Sequence, residues 1–219
     1  MLDPENLRRW CVRLDEAFLQ VIHREGLDEQ PDSRAFGAYV ERTIKNEWNA
    51  LCSAWNVEAR PVPGRRTIYD AAFNSGANLV GVDFKSKDLA DNRYSDGGVC
   101  SVGNLLRLYQ SGATFLITEF GYRVLSGRAE FIYVRTAPFH ALPESIYRIE
   151  NLGTGQVRLN ESLHRCWEKI EWDRALSEFL GLFCKLSAEH YQRVAGDAER
   201  RARALSMFVD SGFSRLPPL

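Results

Sequence analysis

The chain has 219 residues, 45% of them hydrophobic and 26% charged, a balance that excludes a disordered chain and suits one sizeable core. Its formal net charge of −1 advertises no polyanion partner, although patches decide such binding more than totals do. Only five of the 28 basic residues are lysine; arginine suits bidentate contacts to phosphate and guanine, and a GC-rich genome explains the bias equally well.

Asp3-Pro4 opens a first helix, a capping carboxylate followed by proline at the first helical position. Leu7, Trp10, Cys11, Leu14, Phe18 and Val21 then recur at helical spacing until Gly26. This start is amphipathic and charged, unlike a signal peptide, and no apolar run reaches membrane length, so a soluble cytoplasmic protein is expected. A second helix is predicted from about Ser33 to Trp55, with Phe36, Val40, Ile44, Trp48 and Leu51 on one face; the proline-rich loop Glu58 to Arg66 cannot continue it. Two β-type runs, TIYDAAF and NLVGVDFKSK, are joined by a turn-rich link of hairpin length. After the polar loop DLADNRYSDGG, with Cys100 also in a loop, Ser101 caps a short helix closed by Gly112. TFLITEFGYRV and AEFIYVRT are strands turning at Gly127, and SIYRI and QVRL are short strand candidates. From Glu161 the pattern is helical, with Gly196 dividing off a last arginine-bearing helix, Asp197 to Val209. The order reads as one α/β domain over 1–219, with a mixed sheet flanked by helices.

Two acids and a lysine stand where a sheet core prefers Val or Ile. Side chains alternate along a strand, so Val80, Val82 and Phe84 share one face while Gly81, Asp83, Lys85 and Lys87 share the other. If the two runs pair as a hairpin, Asp70 projects beside Asp83. Two adjacent carboxylates resist ionising unless a cation sits between them. Hard oxygen donors with an open edge suit Mg²⁺, which acts as a Lewis acid on a phosphodiester, with Lys85 as general-base partner or charge stabiliser. The competing reading is an exposed strand edge carrying an Asp83–Lys85 salt bridge, with Asp70 in a turn.

Other chemistries lack support. The five cysteines are odd in number and show neither CxxC nor CxH spacing, which reads as reduced thiols. The four histidines have no metal-ligand spacing, and there is no GxGxxG, Walker or GxSxG motif, so no nucleotide cofactor is expected.

The ordering resembles the PD-(D/E)xK nuclease superfamily, whose core is helix, three strands, helix, strand. Asp70 matches the first acid and Asp83-Phe84-Lys85 the acid-x-lysine, with Tyr69 in place of the proline before the first acid. Within the superfamily, GAYVERTIKNEW, YDA, VDFKSKD, and DNRYSDGG followed by a helix and GATFLITEFGY are similar to the short, rare-cutting SwaI-like type II restriction endonucleases, over roughly Gly37 to Tyr122. The resemblance implies a restriction-endonuclease-like core at about 33–136, with a helical C-terminal region at about 161–210. It implies Asp70, Asp83 and Lys85 as catalytic residues, and Mg²⁺ held by Asp70, Asp83 and a further helix acid, Glu47 or else Glu41. An ordinary exposed helix glutamate is the competing reading of that last position.

A nuclease must hold phosphates and read base edges. Lys87, Asn92 and Arg93 leave directly from the catalytic strand, and Ser101 and Asn104 open the next helix, whose amides can bind phosphate. The expectation is thus a Mg²⁺-dependent type II site-specific deoxyribonuclease acting on double-stranded DNA. A homodimer follows from a palindromic site, of eight base pairs if the closer resemblance holds. The alternatives are a repair nickase or resolvase on the same fold, and a non-catalytic DNA-binding or interaction domain.

Overall fold

A computed structural model describes residues 2–26, 29–30, 36–62, 64, 68–90, 98–126, 128–150 and 155–210. Helix α1 (Pro4–Arg24) begins where Asp3 accepts the Asn6 amide at 2.9 Å, and it buries Leu7, Trp10, Cys11, Leu14, Phe18, Val21 and Ile22. After strand β1 (Glu29–Gln30), helix α2 (Phe36–Ala54) buries Phe36, Val40, Ile44, Trp48 and Cys52, one stripe at helical spacing. Strands β2 (Glu58–Arg60), β3 (Ala71–Ser75) and β4 (Asn78–Asp88) follow; Gly76, at φ +60°, turns the chain between β3 and β4.

β5 (Gly98–Ser101) and α3 (Val102–Gln110) then carry the chain across to β6 (Thr114–Leu125), which turns back into β7 (Arg128–Pro138). The main sheet has the order β1-β7-β6-β4-β3-β2. β4 and β6 run parallel, while β3–β4 and β6–β7 are antiparallel. A parallel pair cannot be closed by a tight turn, which is why a helix and a strand intervene. The chain thus forms a mixed α/β structure with a central mixed sheet flanked by helices.

The period of two along the strands divides the core. Val80, Val82, Phe84, Leu116 and Phe120 pack under α1 and α2, and Trp48 donates its indole N–H to Ala72 O at 2.8 Å. Phe115 and Ile117 face the other way, into a second core closed by Leu105, Tyr109, Phe139, Phe179 and Phe183. That second layer contains a small sheet, β5-β9-β8, formed with β8 (Tyr147–Glu150) and β9 (Gln156–Leu159). Cys100 therefore lies in a strand, not a loop; its partners are more than fifty residues away in the chain, beyond any local pattern.

The C-terminal region departs from its expected reading in one respect. After the short α4 (Leu163–Cys166), helix α5 (Leu176–Asp210) runs unbroken through Gly196. A mid-helix glycine costs about 1 kcal/mol relative to alanine, too little to end a long helix braced here by Asp197–Arg200 and Glu199–Arg203 ion pairs. Phe179, Phe183, Ser187 and His190 anchor its first half, and no described residue beyond His190 is buried. No described helix is long and apolar enough to cross a membrane.

Candidate active site

Asp70 lies one residue before β3, so it is not inside the strand that the sequence pattern drew around it. Its amide still donates to Val82 O at 2.9 Å, a last rung of the β3–β4 ladder. With Ala71 registered against Val82, this rung sets Asp70 across from Asp83. Tyr69 supports the junction. Its ring lies on Gly81, where a Cβ would come within 2.6 Å of Tyr69 Cδ1, so only glycine admits the ring.

The two carboxyls meet in unlike surroundings. Asp70 Oδ2 accepts the Phe84 amide at 2.8 Å and Oδ1 accepts Lys45 Nζ at 3.0 Å. Burial pushes Asp70 up, but the Phe84 amide and Lys45 outweigh it and hold the carboxyl below its ordinary value. Asp83 is 5% exposed. Burial pushes it up to about 8; Lys85 pulls it down and Asp70 pushes it up again. Lys85 Nζ lies 2.6 Å from Asp83 Oδ2, yet that buried oxygen has no aligned hydrogen-bond donor; Lys85 instead donates to Phe84 O at 3.3 Å.

These contacts bear on the metal. Among the described residues, no group of three His, Cys, Asp or Glu side chains stands close enough together to hold an ion. The donor set here is the two aspartates, with Asp83 Oδ2 buried and held only by its ion pair with Lys85. Hard oxygens from two carboxylates fit Mg²⁺, which keeps several of its waters. Cys100 lies near enough to be affected by Asp83 and Lys85, but burial holds its thiol well above the ordinary value and so keeps a soft thiolate out of the site.

Glu47 is not brought to the aspartates. It pairs with Arg24 of α1, at 2.7 Å. Lys45 and Glu47 flank opposite sides of the α2 stripe Val40, Ile44 and Trp48, so only one of them can reach the β3–β4 edge. Glu41 lies on the Lys45 side and reaches Asp70 through it, with Lys45 Nζ 2.5 Å from Glu41 Oε1. Lys45 is the residue that a search for acids passed over; its only sequence signal is the i,i+4 spacing to Glu41.

Of the expected DNA contacts, Lys87 lies on the site face of β4, partly exposed. Ser101 Oγ caps α3 by accepting the Asn104 amide at 3.3 Å, and Asn104 Oδ1 accepts from Arg107 at 2.6 Å. Asn92 and Arg93 lie outside the described residues.

A further acid on this face went unread in the strand TFLITEF. Glu119 is registered with Lys85 across the parallel β4–β6 pair and is almost fully buried. Tyr133 donates to it at 2.6 Å, its ring laid over Gly121 and stacked on His164 with centroids 5.0 Å apart. Burial raises Glu119 to about 7, against Tyr133 and the His164 and Leu163 amides at the start of α4. These partners occupy the carboxyl, so Glu119 ties α4 to the sheet beneath the site.

No family model matches the chain, and no curated protein matches it. Among solved structures the chain is similar to Hjc, a Holliday junction resolvase of the archaeal hyperthermophile Archaeoglobus fulgidus, at 13% identity and a TM-score of 0.27, over 52% of this chain and 88% of that one.

Proposed function

We propose that the chain is a Mg²⁺-dependent DNA endonuclease of the PD-(D/E)xK kind, a type II site-specific deoxyribonuclease that cuts double-stranded DNA at a palindrome as a homodimer. The observation that carries this reading is the meeting of Asp70 and Asp83 at the open end of one hairpin, with Lys85 on the same face. A structural salt bridge needs one acid and one base. Here two carboxyls are held together; Lys45 and Lys85 each neutralise one of them, yet Asp70 still pushes Asp83 up, a repulsion that a divalent cation bound by both would relieve.

Asp70 and Asp83 would hold Mg²⁺, which when bound supplies Lewis acidity toward a phosphodiester oxygen. The protein's own groups do the rest. The Phe84 amide fixes Asp70 by one oxygen, and the other, more exposed side of the carboxyl is held by Lys45. Lys85, 16% exposed and reaching past Asp83, sets an ammonium beside the reacting phosphate, where it offsets developing negative charge. Lys87 lies two residues further along the same strand face, positioned for an adjacent phosphate. The near-neutral total charge suits a site-specific enzyme, since nonspecific affinity scales with the phosphates neutralised.

The test is digestion of a large phage DNA and a panel of long genomic DNAs by wild type and Asp83→Ala, each with Mg²⁺ and with EDTA, with fragment ends sequenced. A branched four-way junction serves as a parallel substrate. Discrete fragments from wild type in Mg²⁺ alone support a restriction enzyme and give its site. Cutting confined to the junction replaces it with a structure-selective nuclease. Intact DNA throughout, with no Mg²⁺ binding by calorimetry, leaves a non-catalytic domain.

A further inference from the structure

Lys45 stands where a ligand to Asp70 would be expected. Asp70 has two carboxylate oxygens, and the Phe84 amide occupies Oδ2. Oδ1, the one left for a ligand, is held by Lys45 Nζ at 3.0 Å. The arrangement repeats at the second acid, where Lys85 Nζ lies 2.6 Å from Asp83 Oδ2. Each member of the pair thus carries one ammonium, and the two come from different elements, α2 and β4. Lys45 has a second anchor, Glu41 Oε1 at 2.5 Å, one turn back on its own helix. It is 37% exposed, on a flexible four-carbon stem, so it can leave Asp70 without unfolding anything.

We propose that Lys45 is a second lysine of the active site, which neutralises Asp70 until a divalent cation takes Oδ1 and is thereby released toward the bound phosphodiester. This rests on the nuclease reading and deepens it. A dication meeting Asp70 competes with the ammonium for Oδ1, and the repulsion between the two positive charges at that separation drives the ammonium off. Glu41 then keeps the displaced Lys45 at the mouth of the site, where the nearest added negative charge is substrate phosphate. Lys45 thus lowers metal affinity in the free protein and contributes to catalysis in the complex. A mere surface ion pair would do neither.

The experiment uses the full chain and two readouts. Ca²⁺ alone is titrated by calorimetry into wild type, Lys45→Met, Asp70→Asn and the double variant. Lys45→Met is expected to bind Ca²⁺ roughly tenfold more tightly, the scale of removing one close, partly exposed charge. In the Asp70→Asn background the same change is expected to have no effect. The single-turnover cleavage rate at saturating Mg²⁺ is expected to fall about tenfold or more in Lys45→Met with little change in the affinity for DNA measured in Ca²⁺, and to be partly restored in Lys45→Arg. Ca²⁺ affinity that is unchanged or weaker in Lys45→Met overturns the proposal alone. Tighter Ca²⁺ binding with wild-type cleavage also overturns it, since the catalytic half then fails. Wild type that binds no Ca²⁺ overturns both this proposal and the nuclease reading.

Discussion

Asp70 and Asp83 face each other across the open end of one hairpin, and their surroundings drive their titrations apart. Asp70 is one-quarter exposed, bonded to an amide and an ammonium, and held low; Asp83 is buried beside Lys85, and burial pushes it up to about 8. Divergent titration within a touching pair is a mark of sites that bind cations or move protons.

This divergence sets the pH dependence of stability. The folded value of Asp83 lies above its ordinary 3.8, so the stability it contributes is complete in acid and is lost as pH rises through about 8. Asp15 and Glu119, each raised by burial to about 7, act in the same direction. In EDTA the melting temperature is expected to fall by roughly 5 °C or more between about pH 5.5 and about pH 8.5, at about 2–4 °C per kcal/mol for a chain of this size. Mg²⁺ is expected to recover much of that loss at the upper end, by binding the ionised pair. A melting temperature that rises over the same span contradicts this assignment.

Lys85→Ala removes the ammonium that pulls Asp83 down, so Asp83 ionises at still higher pH. Cleavage is expected to drop by about 10²–10⁴. Ca²⁺ binding followed by calorimetry is expected to shift to higher pH. A loss of cleavage with an unmoved binding profile would separate Lys85 from Asp83.

Gly121 is occupied from above by the Tyr133 ring, to which an added Cβ would come within 2.1 Å. Gly121→Ala therefore dislodges the donor to Glu119 and is expected to cost about 1–3 kcal/mol in urea unfolding. Tyr133→Phe, which keeps the ring and loses only the hydroxyl, is expected to cost about 1–3 kcal/mol as well, by removing the side-chain donor of a buried carboxyl. Costs near zero for both would show that Glu119 is satisfied by the α4 amides alone.

Ser101 has a structural duty as the cap of α3 and a proposed one beside phosphate. Ser101→Ala is expected to cost about 1 kcal/mol of stability. Ser101→Asp keeps a capping oxygen, so its stability should stay within about 0.5 kcal/mol of wild type, while its charge weakens DNA binding in Ca²⁺ by roughly tenfold. Unchanged DNA affinity in Ser101→Asp would exclude the helix start from the DNA interface.

What could be read from the sequence follows local geometry. The alternation Val80, Val82, Phe84 against Asp83 and Lys85 assigns both faces of β4 because the strand period is a property of the backbone, and Gly76 and Ser101 punctuate the chain by equally local rules. Where tertiary partners decide, the sequence pattern misleads. Strand alternation puts Tyr69 on one face with Ala71 and Phe73, yet Tyr69 joins the second core and they join the first, because it lies before the strand begins; Cys100 becomes a strand residue through partners far along the chain. At the site, attention to acids selected Glu47 over the Lys45–Glu41 pair, since the rotational setting of α2 is fixed only by what its buried stripe packs against. Glu119 stayed hidden because an acid in an apolar strand has meaning only beside its neighbour, and that neighbour arrives by parallel pairing.

That parallel pairing also bears on how the protein reaches its native state. The β3–β4 hairpin closes over a turn of a few residues, so Asp70 and Asp83 can come together within microseconds. β6 docks only after the long crossover through β5 and α3, and contacts of that separation form late. The two carboxyls thus meet while water still reaches them, and they become buried only when β6 and Glu119 arrive. Repulsion within the pair then falls on the later, slower step. Refolding in EDTA should accordingly be faster in mild acid than at about pH 8.5, with Mg²⁺ closing the gap; stopped-flow fluorescence of the tryptophans packed near the hairpin, Trp10 and Trp48, reads the step directly.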